Sequence, residues 1–261
     1  MTAQPLTRTG TLLYGAVGLA AFLGLWSALS LTGVVPHQFL PAPHEVATRF
    51  LQLLSAPFAG ATLGEHLASS ALRFCYGFLL GAVIGIPLGL LMGWFRALDA
   101  IVTPIFDALR FVAPIAWVPF AALWFGTGIG GPILIIFAGA FPPCLINAYR
   151  GARHVSRPLI EAAQMLGTGH LRIIVEVLLP ASTASIVAGL RVAAGLGWQS
   201  LIGAELIVAS TGVGFMMVQA QLNISTTTVM SAMVAIGMVG FVIDVALRGL
   251  EAAVRRRGLV A

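Results

Sequence analysis

Residues Leu67 to Gly93 read LASSALRFCYGFLLGAVIGIPLGLLMG, an apolar run interrupted by one charge, Arg73. A helix needs roughly 20 such residues to cross the hydrocarbon of a bilayer, and this run exceeds that length. Five further runs meet the same test: Thr11 to Leu31, Leu98 to Phe125, Pro132 to Ala148, Ala181 to Val208 and Val229 to Leu247. Residues of the AVILMFWYC set make up 59% of the 261 positions and charged residues only 9%, with a mean hydropathy of +0.98. That leaves too little polar surface to coat a water-soluble globule, so the solvent is lipid. The fold expected is all-α: a single polytopic membrane domain over residues 1–261 with about six transmembrane helices. Thr11 to Leu31 follows Arg8 but is long for a signal core and lacks a clean cleavage site, so it reads as a retained first span.

All 14 basic residues are arginine, against 9 acidic ones, for a net charge of +5. In a membrane protein such an excess marks cytoplasmic loops and does not require nucleic acid. With the N-terminus inside, Arg8, Arg96, Arg150, Arg153, Arg157, Arg172, Arg248, Arg255, Arg256 and Arg257 fall on the cytoplasmic side. Arg49 and Arg73 fall at or beyond the outer edge, and Arg110 and Arg191 within spans. Both termini are then cytoplasmic. Outside, Thr32 to His66 carries a short amphipathic stretch, Glu45 to Leu54, fit to lie along the membrane surface. The uncharged Gly126 to Gly131 and Ser210 to Thr228 read as outer turns or shallow re-entrant segments.

Gly77, Gly81, Gly85, Gly89 and Gly93 recur every four residues and leave a small-residue groove for close packing of another helix. Each step of four drifts by about 40°, so the groove winds around the helix; Pro87 is placed to kink it. The pattern Gly126-Thr127-Gly128-Ile129-Gly130-Gly131 formally matches a dinucleotide fingerprint, but no strand precedes it, and it is discarded as a nucleotide site. Cys75 and Cys144 sit in apolar runs and read as small buried hydrophobes.

Intramembrane charges are costly and normally face a bundle interior or an aqueous cavity. Asp107 and Arg110, three residues apart, share a helix face and can neutralise each other. Arg191 and Glu205 are fourteen residues apart, about 21 Å of helix, so each needs a partner elsewhere. Structural ion pairing and lining of a solute path are both open for these charges, and for Trp117, Trp198 and Gln199 beside them. His37, His44, His66, His154 and His170 show no metal-ligand spacing, so no metal site is expected. No nucleophile elbow is present. A Walker A loop needs a lysine to reach nucleotide phosphates, and this chain has none. If ATP drives the protein, another subunit hydrolyses it; the chain itself is no enzyme.

Between spans four and five lies RGARHVSRPLIEAAQMLGTGHLRIIVEVLLP, Arg150 to Pro180, a long polar segment. Pro158 suits a first helical turn after Ser156, and Glu161 to Leu166 continues with good helix formers. Gly167 and Gly169 break the helix, and a second one, His170 to Leu179, is expected to end at Pro180. A helix–glycine–helix knob suits docking into a cleft on a partner protein.

Glu161-Ala162-Ala163, Gly167 four positions on, and Leu179-Pro180 match the EAA-loop pattern of type I ABC-importer permeases. The likeness extends through Phe39 to Val46, Ile86 to Gly89, Ala116 to Pro119, Trp124 to Gly126, Gly189 to Arg191, Trp198 and Ala204 to Leu206. Together these resemble the nitrate/sulfonate/taurine branch of binding-protein-dependent permeases over nearly the whole chain. Departures occur at Phe111, Ala113 and Ala184, where the family often carries proline. The resemblance implies two permease chains, most simply a homodimer. It also implies two cytoplasmic ATPase subunits that bind ATP and Mg and grip the loop, and a periplasmic or lipid-anchored binding protein. The location implied is the bacterial inner membrane. Ligand-path candidates are then Arg110, Trp117, Arg191, Trp198, Gln199 and Glu205, with Arg110 and Arg191 attracting an anionic solute of nitrate, sulfonate or taurine kind. An ion-coupled secondary transporter and a non-transporting scaffold subunit are the competing readings.

Overall fold

The computed structural model describes residues 8–33, 35–126 and 128–256. Thr127 of the glycine pattern and Arg257 of the basic C-terminal end lie outside the described residues, as do the side chains of Arg8 and Arg255. In chain order the helices are α1 (Arg8–Leu31), α2 (Pro43–Ser55), α3 (Leu63–Trp94), α4 (Arg96–Leu109), α5 (Val118–Phe125) and α6 (Gly130–Arg153). Then follow α7 (Arg157–Met165), α8 (His170–Ile173), α9 (Leu179–Ala181), α10 (Thr183–Val208), α11 (Val213–Leu222) and α12 (Thr226–Arg256). A 3₁₀ turn covers Pro114–Trp117 and a π-helical turn covers Ile174–Leu178. Among the described residues the β-pairing is a single bridge between Phe58 and Ala61.

Helices α1, α3, α6, α10 and α12 are each long and apolar enough to cross a membrane, and α4 with the segment Pro114–Phe125 passes the same test only as a bent pair, a broken span or a re-entrant loop. The third span expected over Leu98 to Phe125 is not one continuous helix: its two halves meet at 86°. The cause is local. Pro114 disfavours helical geometry at the residue before it, and Ala113 is extended at φ −56°, ψ 138°. The α4 ladder therefore closes at Arg110, whose N–H donates to Phe106 O at 2.9 Å.

A second correction concerns Pro180, which does not end the chain's helical path. Proline lacks the N–H that Glu176 O would accept, and its ring crowds that carbonyl. The backbone widens into the π turn, a recognised response to such interruption, and continues through α9 into α10, with only Ser182 between them. The segment that was expected to stop is joined helically to the fifth span.

Packing is tightest among α3, α6 and α10. A Cβ on Gly77 would stand 2.5 Å from Ile136 Cβ, one on Gly81 3.1 Å from Ala140 Cβ, one on Gly85 3.0 Å from Cys144 Cβ and one on Gly89 2.9 Å from Ala148 Cβ. Gly93 meets Ala152. All five glycines face α6, and their partners also recur every four residues. Because four exceeds 3.6, the stripe slews around α3, and α6 can follow it over this length only by winding with it in the right-handed sense. Thr62 opens α3 with reciprocal capping: its N–H donates to Glu65 Oε2 at 2.7 Å and its Oγ1 accepts from Glu65 N at 3.4 Å.

At the end opposite α7, helix α2 turns its apolar face inward. Leu53 joins Leu63, Val213, Met216, Ala232 and Ala235 in one buried cluster, and Arg49 Nε donates to Thr228 Oγ1 at 2.9 Å. The uncharged 210–228 stretch holds α11, with Val213, Gly214, Met216 and Ala220 buried. By contrast, α1 is held mainly at its end, where Trp26 Nε1 donates to Pro41 O and Ser30 Oγ to Leu40 O. Its flanks, such as Leu25 at 62% exposure, require hydrocarbon as solvent.

Candidate functional site

The α7–α9 knob is built around its glycine. Gly167 has φ +73°, its N–H donates to Gln164 O at 2.9 Å and Thr168 N–H donates to Ala163 O at 3.2 Å. Those two bonds form a Schellman cap, in which Ala163 and Gly167 are the first and penultimate positions. Nothing lies within 4 Å of a Cβ placed on Gly167, so the glycine answers a backbone demand and not a lack of space. Glu161 and Ala162 are exposed. Ala163 and Ile160 pack against the buried cluster of Leu90, Ala148, Ala152, Ile173, Leu178 and Ile186, gluing one side of the knob to α3, α6 and α10. The opposite side is apolar and open, with Met165 84% and Leu166 85% exposed. Trp94, the last residue of α3, has its ring 5.8 Å from that of His170. Arg172 Nε donates to Glu176 Oε1 at 2.7 Å, and this bond raises the guanidinium's pKa above its ordinary value. Leu179 and Pro180 lie in the continuous path from knob to α10.

The α4–α5 break opens a cleft along α6. Three adjoining hollows of about 330, 240 and 330 Å³ share Arg110 and Pro142. The first reaches Trp117, the second Gln199 and Ser200 on α10, and the third Asn147 and Arg150 towards the knob. Arg110 Nε donates to Asp107 Oδ1 at 2.9 Å, the i,i+3 pair expected, and its guanidinium stands 4.7 Å from the Phe111 ring centre. One of its five N–H donors is used by that carboxylate.

The other three path candidates lie elsewhere. Glu205 is 1% exposed. Its carboxylate accepts from Arg73 Nη1 at 2.9 Å, from Ser70 Oγ at 2.8 Å and from Gly214 N at 3.0 Å. Arg73 also donates to Thr211 O at 2.6 Å, so a residue assigned to the outer edge is a buried partner on α3. His66 extends this network, its Nδ1 accepting from Gly212 N at 3.2 Å while Nε2 donates to Phe58 O at 3.0 Å. Arg191 Nε donates to Asp244 Oδ1 at 2.8 Å, with Glu251 Oε2 3.6 Å from its Nη1 and Arg248 also on Asp244. Trp198 Nε1 donates to Ile236 O at 3.2 Å, and its ring meets Phe74 edge-on.

A helical wheel separates the two groups. At about 100° per residue, Arg191, Trp198 and Glu205 fall within about 40° of one another, whereas Gln199 and Ser200 lie about 80° and 180° from Arg191. The spacings of seven and fourteen were visible in the sequence; which stripe faced α12 and α3 was not. Local pattern does not mark Asp244, Arg73 and Ser70, because each acquires its partner from a helix distant in sequence. Among the described residues no group of His, Cys, Asp and Glu side chains could hold a metal ion; both cysteines are unpaired, Cys144 buried as expected and Cys75, against expectation, exposed on α3.

Residues 85–258 match the family model described as binding-protein-dependent transport system inner membrane component. The taurine transport system permease protein TauC of Escherichia coli is 34% identical over 248 residues, covering 95% of this chain and 90% of that protein. The bicarbonate transport system permease protein CmpB of Synechococcus elongatus is 34% identical over 235 residues, covering 87% and 84%. An inward-facing structure of the MetNI methionine ABC transporter superposes with a TM-score of 0.64 at 22% identity, covering 74% of this chain and 95% of that one, which establishes the fold. This helical bundle of five to six candidate spans, with its glycine-capped knob, belongs to the binding-protein-dependent transport system inner membrane components, the multi-pass permease subunits of ABC importers.

Proposed function

We propose that this permease carries a small oxyanion-bearing solute inward, of the sulfonate, taurine or bicarbonate kind, along the cleft that opens at Arg110. The observation that carries the reading is the cleft itself: a guanidinium with unused donors, set where a span is broken and flanked by apolar wall and a few amide and hydroxyl groups. The names of the taurine and bicarbonate relatives support an anion as cargo. Two identical chains would face each other across such clefts and enclose the path. Two cytoplasmic subunits would bind ATP and Mg²⁺ and hydrolyse the nucleotide, since this chain has no lysine for a Walker A loop.

Those subunits would grip the exposed side of the knob around Glu161, Ala162, Met165 and Leu166. A displacement of the knob is delivered to α3, α6 and α10 through the buried cluster and to α10 again through the unbroken helical path at Leu179 and Pro180. Rigid elements of this kind transmit a rigid-body rotation. The arginine count supports a cytoplasmic knob and cytoplasmic termini, with a solute-binding protein delivering at the α2–α11 end.

Reconstitution of the chain with ATPase and binding proteins encoded beside it tests this reading. Uptake of taurine, ethanesulfonate or bicarbonate is expected to require ATP, and Glu161→Arg is expected to remove the ATPase from the co-purified complex. Accumulation of solute by the chain alone under an ion gradient would overturn the proposal in favour of a secondary transporter.

A further inference from the structure

The reach of the cleft towards the knob adds one residue to the solute's path. The hollow lined by Arg110, Pro142 and Asn147 continues to Arg150. Arg150 lies eight residues beyond Pro142 on α6, about 12 Å of helix. Its neighbouring arginines are engaged differently: Arg191 is held by Asp244 and Glu251, and Arg153 lies over the Tyr149 ring at 5.8 Å. No carboxylate stands within 4 Å of Arg150 among the described residues, and the side chain is exposed. Asn147, between the two cations, has its amide nitrogen tied to Pro143 O at 2.8 Å.

We propose that Arg150 is a second anion-binding residue of the lane, receiving from Arg110 the solute that leaves towards the knob side. This inference rests on the cleft being the solute path. A single cation in an apolar cleft binds an anion but favours retaining it; a second cation further along lets the anion be exchanged between sites of comparable strength, which permits passage as well as entry. Arg191 has no such part, because it lines none of the three hollows that share Arg110 and is turned towards Asp244 and Glu251.

The test uses an electrostatic probe of the lane and does not depend on knowing the cargo. In full-length chain in detergent, with Cys75→Ala and Cys144→Ala, Leu196→Cys places a thiol in the wall shared by the hollows next to Arg110 and Arg150. Its modification rates are measured with the anionic sulfonatoethyl and the cationic trimethylammonioethyl methanethiosulfonates, each normalised to a free thiol. The anionic reagent is expected to be favoured. Arg150→Gln is expected to lower the anionic-to-cationic ratio by about three- to ten-fold, as a full charge within several ångströms in partly aqueous surroundings does. Arg150→Lys should restore most of it, and Arg191→Gln should leave it unchanged. An unchanged ratio in Arg150→Gln, or an equal fall in Arg191→Gln, overturns the proposal. Uptake by the reconstituted complex separates the two levels. If the ratio responds to Arg150 but the complex carries no oxyanion, the proposed cargo is wrong and the electrostatic lane stands. If oxyanions are carried and the ratio ignores Arg150, the second site is wrong and the cargo stands.

Discussion

At the scale of single residues, one glycine and one carboxylate make opposite kinds of demand. Gly167 is needed for its φ of +73°, with open space around it. A side chain there meets the left-handed penalty of about 1–2 kcal/mol, eased for asparagine, which tolerates that region. Thermal unfolding of purified chain should therefore rank Gly167→Ala below Gly167→Asn; the reverse order would show that the cap does not set the requirement. Glu205 is needed for its charge, because Arg73 is only 5% exposed beside it. Glu205→Ala leaves a buried unpaired cation and should cost about 3–5 kcal/mol, whereas Arg73→Met with Glu205→Met should recover much of that loss. Equal melting temperatures for the single and double variants would sink this account of the pair.

Helices bring in constraints that no residue carries alone. The glycines of α3 act as a seam because α6 presents Ile136 and then the small residues Ala140, Cys144, Ala148 and Ala152 with the same period, so the two stripes stay in contact over four steps. Gly85→Leu must displace Cys144 and is expected to cost about 1–3 kcal/mol or more through overpacking, while Gly64→Leu on the same helix meets nothing within 4 Å and should be tolerated. Similar melting points for the two would show that the seam is not close-packed. Pro180 acts on its element differently. The π turn it imposes adds one residue to the turn, so removing it with Pro180→Ala would rotate what precedes relative to α10 by about 100° and shift it by about 1.5 Å. Retained ATPase binding with strongly reduced uptake is the expected outcome; uptake equal to the parent's would mean that the register across this turn is not used.

For the molecule as a whole, the knob and the cleft are two ends of one body. The cluster under α7 joins α3, α6 and α10, and α6 itself carries the cleft wall at Pro142 and Asn147. A displacement imposed at Met165 and Leu166 thus has a packed route to the cleft, which is the route the proposed mechanism uses. Arg110→Gln is expected to reduce uptake about ten-fold or more at fixed solute, while Arg191→Gln chiefly lowers stability by leaving Glu251 unpaired and Asp244 with Arg248 alone; strong loss of uptake with unaltered melting in Arg191→Gln would reverse these roles. Single cysteines added at each terminus should be labelled by a membrane-impermeant reagent only in inverted vesicles, and labelling of either in right-side-out vesicles would contradict the arginine-based orientation.

Composition and hydropathy alone determined that this is a membrane-spanning helical bundle, because a chain with 9% charged residues has no other stable solvent. The first half of the knob was equally legible, since Pro158, the Ala163–Gly167 spacing and Gly169 act within a few residues of themselves, whereas the continuation through Pro180 into α10 was not. The break at Ala113 was foreshadowed by Pro114 but overridden by the continuity of apolar residues. Partners across the bundle were beyond reach of local pattern: Glu205 is 132 residues from Arg73 and Arg191 is 53 from Asp244. Periodicity put Arg191, Trp198 and Glu205 on one stripe of α10 and Gln199 on another. Only tertiary packing decided which stripe faced protein and which faced the cleft, because burial depends on the neighbour a helix finds and not on the helix itself.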